Sequence, residues 1–473
     1  MATKTNLGGV SSVNTMLRSN SIVVEVDGAL RRISLENMIN AADLDALLPY
    51  TEDTCSYGIE FDTTVSSPSC TRIGSADLHK TLPIQSRMRG CLLDDDGNVV
   101  EYLDPQDWTG NVRDGSRGQV MVELPLHYRK CETDGTKRRV RISELPLPGY
   151  DAVPKVYVSA YEAAVQRSTL KLCSVVNSTT DYRGGDNTAD WDSADNSLLG
   201  MPATAISRTN FRAYARKRKS GSTEWNCMTY DAQKTIFWLF AVEYATLNTQ
   251  AAYNAQPTSE GYRQGGLGAG VTALVYDKWM AFNKTNPFVP CGLTDTLGNQ
   301  TGVVEMAMPT AYDSAATVKV SVPRYRGLEN PFGHLWQWTD GINVRVSADV
   351  TGGGDGLSKV FVCHDPAKFS DTSYDGYSHV GNEDRAEQSY VKEIIFGEGG
   401  EIMPKATGGS SSTYFCDSHY TSLPASGEVL RGVRFGGSAG NGSSAGLVCA
   451  NTHYAPSITL AYIGSRLCFV PNA

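Results

Sequence analysis

Charge is scarce in this sequence, and histidine scarcer. Charged residues are 20% of the 473, and 42 Lys+Arg against 51 Asp+Glu leave a formal charge of -9. Proteins that grip nucleic acid carry a positive excess, so no nucleic-acid partner is expected. Seven histidines occur, none in an HxH or HExxH spacing, so the zinc-hydrolase pattern is missing. The 11 cysteines form no CxxC pair, which excludes a zinc ribbon or a thioredoxin-type centre. Their odd number and wide dispersal also exclude a disulfide framework and predict small buried hydrophobes. No apolar run approaches the roughly 18 residues of a membrane span, so no membrane insertion is expected. Residues 1–6 lack the apolar core of a secretory signal peptide, which predicts a chain made and assembled in a cytoplasm.

Glycine, with 46 residues, and turn-forming sequence are abundant instead. The length predicts about two to four domains. Residues 1–20 are polar and Ser/Asn/Thr-rich, a composition that orders against a partner. Asp27-Gly28 between 21–26 and 30–33 is a hairpin signal. Leu35, Met38, Ile39, Ala42, Leu44 and Leu47 then fall at helical spacing. Residues 1–50 therefore read as a small docking or oligomerisation module, 51–118 as a β-rich connecting region, and 119–473 as the main domain. Within the connector, Asp94-Asp95-Asp96-Gly97-Asn98 lacks the spacing and closing Glu of an EF-hand, and reads as a hairpin with an acidic tip. Residues 119–126 and 155–161 read as strands. Thr229 caps a helix that runs without Gly or Pro to residue 248, apolar around most of its circumference and so buried. A second helix is expected over 272–282. Past Pro287 the text becomes short strands and Gly/Ser-rich loops, so the fold class is α+β rather than alternating βαβ units.

Residues 265–270, Gly-Gly-Leu-Gly-Ala-Gly, follow a polar loop and not a strand, and read as a flexible loop rather than a nucleotide site. The basic runs at 137–139 with Arg141, and at 216–219, lack interleaved stacking aromatics. They read as solvated faces, or as a patch meeting an acidic neighbouring subunit. His364-Asp365 and Asp417-Ser418-His419 are local His/Asp pairs without a matched nucleophile, so no catalytic residue is assigned. Trp336 and Trp338 stand at i and i+2 and point the same way on a strand, forming an apolar platform beneath a sheet.

Gly333-His334-Leu335-Trp336-Gln337-Trp338 resembles the Gly-Asn-Val-Trp-Glu-Trp element of the formylglycine-generating-enzyme-like branch of C-type lectin folds. The likeness extends from about residue 82 to the C-terminus. It implies a large C-type-lectin-like domain with short strands, two main helices and long loops, behind the N-terminal module. The enzyme version fits poorly, because Cys449 and Cys468 do not match that motif's reactive pair, and no iron-binding histidine set is present. Arg431-Gly432, Phe435-Gly436-Gly437, the small-residue stretch after them and Ile463-Gly464-Ser465-Arg466 resemble the variable region of diversity-generating-retroelement target proteins. Those include phage tropism determinants and relatives from phages of Bacteroides-type hosts.

That resemblance implies a bacteriophage virion protein of the tail fibre or tail tip, not an enzyme. It would bind a host cell-surface glycan or protein, dock on other virion tail proteins and form a homotrimer. The display surface is expected at 436–463. Its ligand-binding residues would be Ser438, Gly440, Ser444, Val448, Cys449, His453, Tyr454, Pro456, Ile458, Leu460 and Tyr462. Trp336, Trp338 and Arg466 would be structural, with Arg466 held by a buried acid or a set of carbonyls. Ile458, Leu460 and Tyr462 alternate with Ser457, Thr459 and Ala461, so on a strand one set faces out and the other in. Hydrophobicity alone buries the large set, whereas the resemblance turns it toward a ligand. No cofactor is expected, although carboxylates near Asp355 or Asp375 could hold a structural calcium. A virion connector or decoration that uses the fold only as scaffold is the alternative, and would bury those same large residues.

Overall fold

The computed structural model describes residues 21–26, 29–34, 51–186, 197–272, 274, 287–308, 312 and 317–472. The chain divides into two compact units, Met1–Cys55 and Ser56–Ala473. In the first, strands Ser21–Val26 and Ala29–Ser34 pair antiparallel from Ser21↔Ser34 to Val26↔Ala29, as the Asp-Gly signal requires. One turn of helix, Glu52–Cys55, closes the described part of this unit. The expected helix over 35–48 lies outside the described residues, as does most of the one over 272–282.

The second unit is mostly β with few helices, in keeping with the two helices in a long, loop-rich β chain expected from sequence. Three sheets carry it. One runs in the order Asp151–Val153, His127–Asp134, Lys137–Ser143, Tyr57–Asp62, Thr71–Gly74. A second runs Trp225–Cys227, Leu467–Phe469, Val156–Ser159, Gln119–Leu124, Arg89–Leu93, Val99–Tyr102, so the last strand of the chain is locked between early ones. The third and largest centres on Trp336–Ser347, flanked by Ser358–Val362 and Glu428–Gly436, and continues through Gly446–Asn451, Ser418–Tyr420 and Gln388–Phe396.

The central helix, Tyr230–Tyr244, starts where Thr229 Oγ1 accepts from the Ala232 N–H and stops at left-handed Ala245. It is buried on every side, because Ile236, Phe237, Trp238, Leu239, Phe240 and Val242 surround its axis. Its two buried charges are paired across the core: Lys234 with Glu401 at 3.0 Å and Glu243 with Arg326 at 2.6 Å. No helix among the described residues is long and apolar enough to cross a membrane.

A helix at Arg208–Arg216, capped by Ser207, was not expected from the sequence. Its inward face is cationic. Arg208 pairs with Asp371 at 2.7 Å, and Arg212 with Asp340 at 2.8 Å and with Asp371. The basic runs are therefore not bare faces. Arg218, 8% exposed, meets Asp95 at 3.0 Å. Lys137 and Arg139 share Glu60, and Arg138 meets Glu393. The acidic tip at 94–98 is a hairpin turn whose Asp95 is neutralised by Lys171 and Arg218. These charges are paired within the chain, although Lys137 stays half-exposed.

Candidate recognition surface

The frame beneath the tail is the strand Trp336–Ser347. Trp338 lies opposite Arg434 in the antiparallel register with Glu428–Gly436, and Trp336 pairs in parallel with Ile463. Both indoles are buried. The Arg434 guanidinium sits 5.5 Å, 5.3 Å and 4.9 Å from the ring centres of Trp336, Trp338 and Tyr454. Its Nη2 donates to Asn451 Oδ1 at 2.6 Å, and among the described residues no carboxylate forms an ion pair with it. Burial pushes this guanidinium down to about 10, and the aromatic faces are what offset the cost of a charge held there. Gly432 makes the stack possible: a Cβ would stand 2.8 Å from Trp338 and 3.2 Å from Pro456.

Arg466 is the second fixed point. It is fully buried and donates to the carbonyls of Ser159, Ala160, Glu329 and Asn330. Of the two partner types expected, the structure uses the carbonyl set. Ser465 Oγ adds a bond to the Trp338 carbonyl at 2.7 Å. The closing strand is thereby tied to the Trp strand and to the strand Val156–Ser159 at once.

The tail residues separate into frame and rim. Val448 and Cys449, both expected on the display surface, are 0% exposed. Their strand, Gly446–Asn451, has neighbours on both edges, and both its faces are covered. Burial raises the Cys449 thiol well above its ordinary value and Cys468 to about 12, so neither is a thiolate near neutral pH. Ser438, Ser444 and Pro456 are also buried, and are corrected out of the exposed set. Ser438 Oγ donates to Asn441 Oδ1, Ser444 Oγ donates to the Asn441 carbonyl, and Pro456 packs toward Gly432. Residues 436–440 and 442–446 each spell Gly-x-Ser-x-Gly, which corrects the expectation that the sequence holds no such nucleophile motif. Their serine hydroxyls are engaged by Asn441 and Tyr420 rather than by an imidazole, so the spacing builds no triad here.

Gly440 is exposed, and His453, Tyr454, Ile458, Leu460 and Tyr462 are half-buried. Residues 453–462 are not a strand, which overturns the alternation expected for them. Without a pleat, no rule sends odd and even residues to opposite faces. Ile458, Leu460, Tyr454 and Tyr462 lean on the apolar cluster of Trp336 and Trp338, while Ser457 and Thr459 take the water. The resemblance-based orientation, with Ser457 and Thr459 packed inward, is therefore corrected. The segment is nonetheless fixed. The carbonyls of Tyr454, Pro456, Leu460 and Tyr462 accept from the backbone N–H groups of Gly432, Arg208, Ala205 and Trp336.

Tyr420 joins this rim and was not anticipated. Its ring meets Trp336 edge-on at 5.7 Å, and its hydroxyl bonds Ser444 Oγ and accepts from Asn441 Nδ2. Nothing periodic surrounds it in the sequence; only the parallel pairing of Tyr420 with Asn451 brings it here.

Beneath the rim lies a set of buried titratable groups. Asp417 accepts from the Val448 N–H at 2.8 Å, and burial raises its carboxyl well above the usual range. Gly446 has no room for a side chain, because a Cβ would come within 2.0 Å of Asp417 Oδ1. Burial also pushes Glu383 up to about 8 and His419 down to about 4. Their 3.9 Å approach is thus a contact between two neutral groups near neutral pH rather than an ion pair.

Among the described residues, no three His, Cys, Asp or Glu gather as a metal site. Asp355, one expected calcium position, is engaged by Arg345 at 2.7 Å and Lys359 at 2.9 Å, and Lys359 leads in holding its carboxyl down at about 2.

No family model matches the sequence, and no curated protein matches it. Among solved structures the chain is similar to the Major Tropism Determinant U1 Variant, with 10% identity, a TM-score of 0.21, and coverage of 96% of this chain and 92% of that one. The M1 Variant gives 12% identity and a TM-score of 0.23, over 96% and 93% of the two chains. The I1 Variant gives 12% identity and a TM-score of 0.21, over 96% and 92%.

Proposed function

We propose that this chain is a bacteriophage receptor-binding protein whose C-terminal rim meets a ligand on the host cell surface. The observation that carries the reading is the rim itself. His453, Tyr454, Ile458, Leu460 and Tyr462 are half-exposed on irregular backbone beside Tyr420 at the end of the strand Ser418–Tyr420, yet that backbone is bonded at four carbonyls to a buried frame. A fixed, mixed aromatic and aliphatic surface is costly to leave in water and suits adaptable contact with a protein or glycan. A scaffold-only connector would need these same side chains sealed, which the single chain does not do. The C-terminal resemblance extends the reading to a lectin-like body, a virion tail position, a homotrimer that multiplies weak contacts, and substitution of rim residues by a retroelement over a constant frame. Calcium is not needed for this mode of binding, and no covalent step is involved.

The test is adsorption. Purified full-length chain, mixed in excess with susceptible bacteria, should bind them and slow adsorption of the phage that carries it. Normal adsorption in the presence of saturating protein would overturn the reading.

A further inference from the structure

Among the described residues Lys234 is the only buried lysine, at 3% exposed. It rises from the first turns of the central helix and meets Glu401, 5% exposed, at the head of the strand Glu401–Thr407. Its Nζ lies 3.0 Å from Glu401 Oε1. Trp238 Nε1 donates to the Gly400 carbonyl at 2.7 Å and so fixes the backbone beside Glu401, while the Tyr230 ring centre stands 5.4 Å from Nζ. A primary amine is thus held against a carboxyl on fixed backbone, which is the proximity that turns a slow reaction between two molecules into a fast one within a single chain.

Two further groups complete the set. Asp231 lies 3.6 Å from the same Nζ and is itself held by His364 Nδ1 at 2.8 Å. The Tyr230 hydroxyl accepts from the Ile402 N–H at 3.0 Å and hydrogen-bonds the Glu401 carboxyl. A nucleophile, an electrophile, a base beside the first and a donor on the second therefore converge. Burial penalises Lys234 and Glu401 as ions, whereas an amide carries no charge, so the site favours a step that removes both charges together. Lys234, Asp231, His364 and Glu401 all line one cleft of about 390 Å³, which gives a released water a way out.

We propose that Lys234 and Glu401 condense into an intramolecular amide that ties the central helix to the strand Glu401–Thr407. Nζ gives up a proton to Asp231, and its freed lone pair attacks Glu401 Cδ while Tyr230 polarises the carboxyl. The N–C bond forms and one C–O bond breaks. Two protons leave the ammonium in all, and Asp231 returns both to the departing oxygen, which leaves as water. Nothing is oxidised or reduced, and no further reactant is consumed. The link joins residues 167 apart in sequence, and so constrains the unfolded chain as a cross-link over a long loop does. It is independent of the rim and stands whether or not the rim binds a receptor.

Mass spectrometry of the purified full-length chain, denatured before measurement, tests it. The chain should be lighter than its sequence by one water. Trypsin should fail to cut after Lys234 and should release a branched peptide that joins the segments around 234 and 401. Lys234→Arg should restore the full mass, and Asp231→Asn should leave most of the chain at full mass. Lys171→Arg, at an exposed ion pair with Asp95, should keep the loss. The wild-type mass and the branched peptide decide the matter even where a variant fails to fold. A wild-type chain at its full sequence mass, a loss of water that survives Lys234→Arg, or ordinary tryptic cleavage after Lys234 would overturn the proposal.

Discussion

The Trp strand and the rim segment are bonded to each other, yet they treat polar groups in opposite ways. In the frame, Arg434 and Arg466 are fully buried, and each is held by fixed partners, aromatic faces for one and four carbonyls for the other. In the rim the backbone alone is fixed, while the side chains of Tyr454, Ile458 and Leu460 stay half in water. The difference teaches how a surface can be fixed in shape while its side chains stay half in water. Rigidity comes from main-chain bonds to rim carbonyls, which a side-chain substitution on the rim leaves in place, and of the two buried cations Arg434 alone reaches a rim side chain, beneath Tyr454.

The sharpest way to break the comparison is to strike the frame. Arg466→Met removes the donor to four buried carbonyls and should cost about 3–5 kcal/mol, read as a large drop in the urea midpoint. A loss no larger than that of a surface substitution would show that the tail is not held in the way described.

A smaller effect follows from the acids beneath the rim. The folded value of Glu383, about 8, lies above its ordinary 4.5, so its protonated form supports the fold at low pH and that contribution fades as pH rises through about 8. Glu329, raised to about 7 chiefly by burial, acts in the same direction. His419 acts oppositely: its contribution is full above 6.5 and is lost as pH falls through about 4. Between pH 6.5 and 8 His419 adds no slope, while the acids and His364, raised above its ordinary value by its bond to Asp231, all lose stability as pH rises, so the urea midpoint should fall across that window. Glu383→Gln should flatten the decline, which for one group is at most about 1.4 kcal/mol per pH unit. A midpoint that rises across the same window would sink this assignment.

Much of the frame was legible in the sequence, because its signals are local. Asp27-Gly28 marked the first hairpin, Thr229 marked the start of the central helix, and the i, i+2 spacing of Trp336 and Trp338 marked a buried strand face. The helix Arg208–Arg216 was not legible. Its buried face is arginine, and the acids that neutralise it, Asp340 and Asp371, lie far along the chain. The rim was half legible. Its location followed from a resemblance, but its orientation was argued from strand alternation, and residues 453–462 form no strand. Val448 and Cys449 were misplaced because a central strand and an exposed edge read alike until its neighbours are known.

The gentlest change gives the most direct test of the account. Ser457 and Thr459 are exposed on the rim, so a Ser457→Arg/Thr459→Arg double variant should shift stability by no more than about 0.5 kcal/mol per site. Two bulky cations at the centre of the rim should still weaken binding of the purified protein to susceptible cells by about tenfold or more. Binding that persists unchanged, with the same urea midpoint, would contradict the claim that this surface meets the receptor.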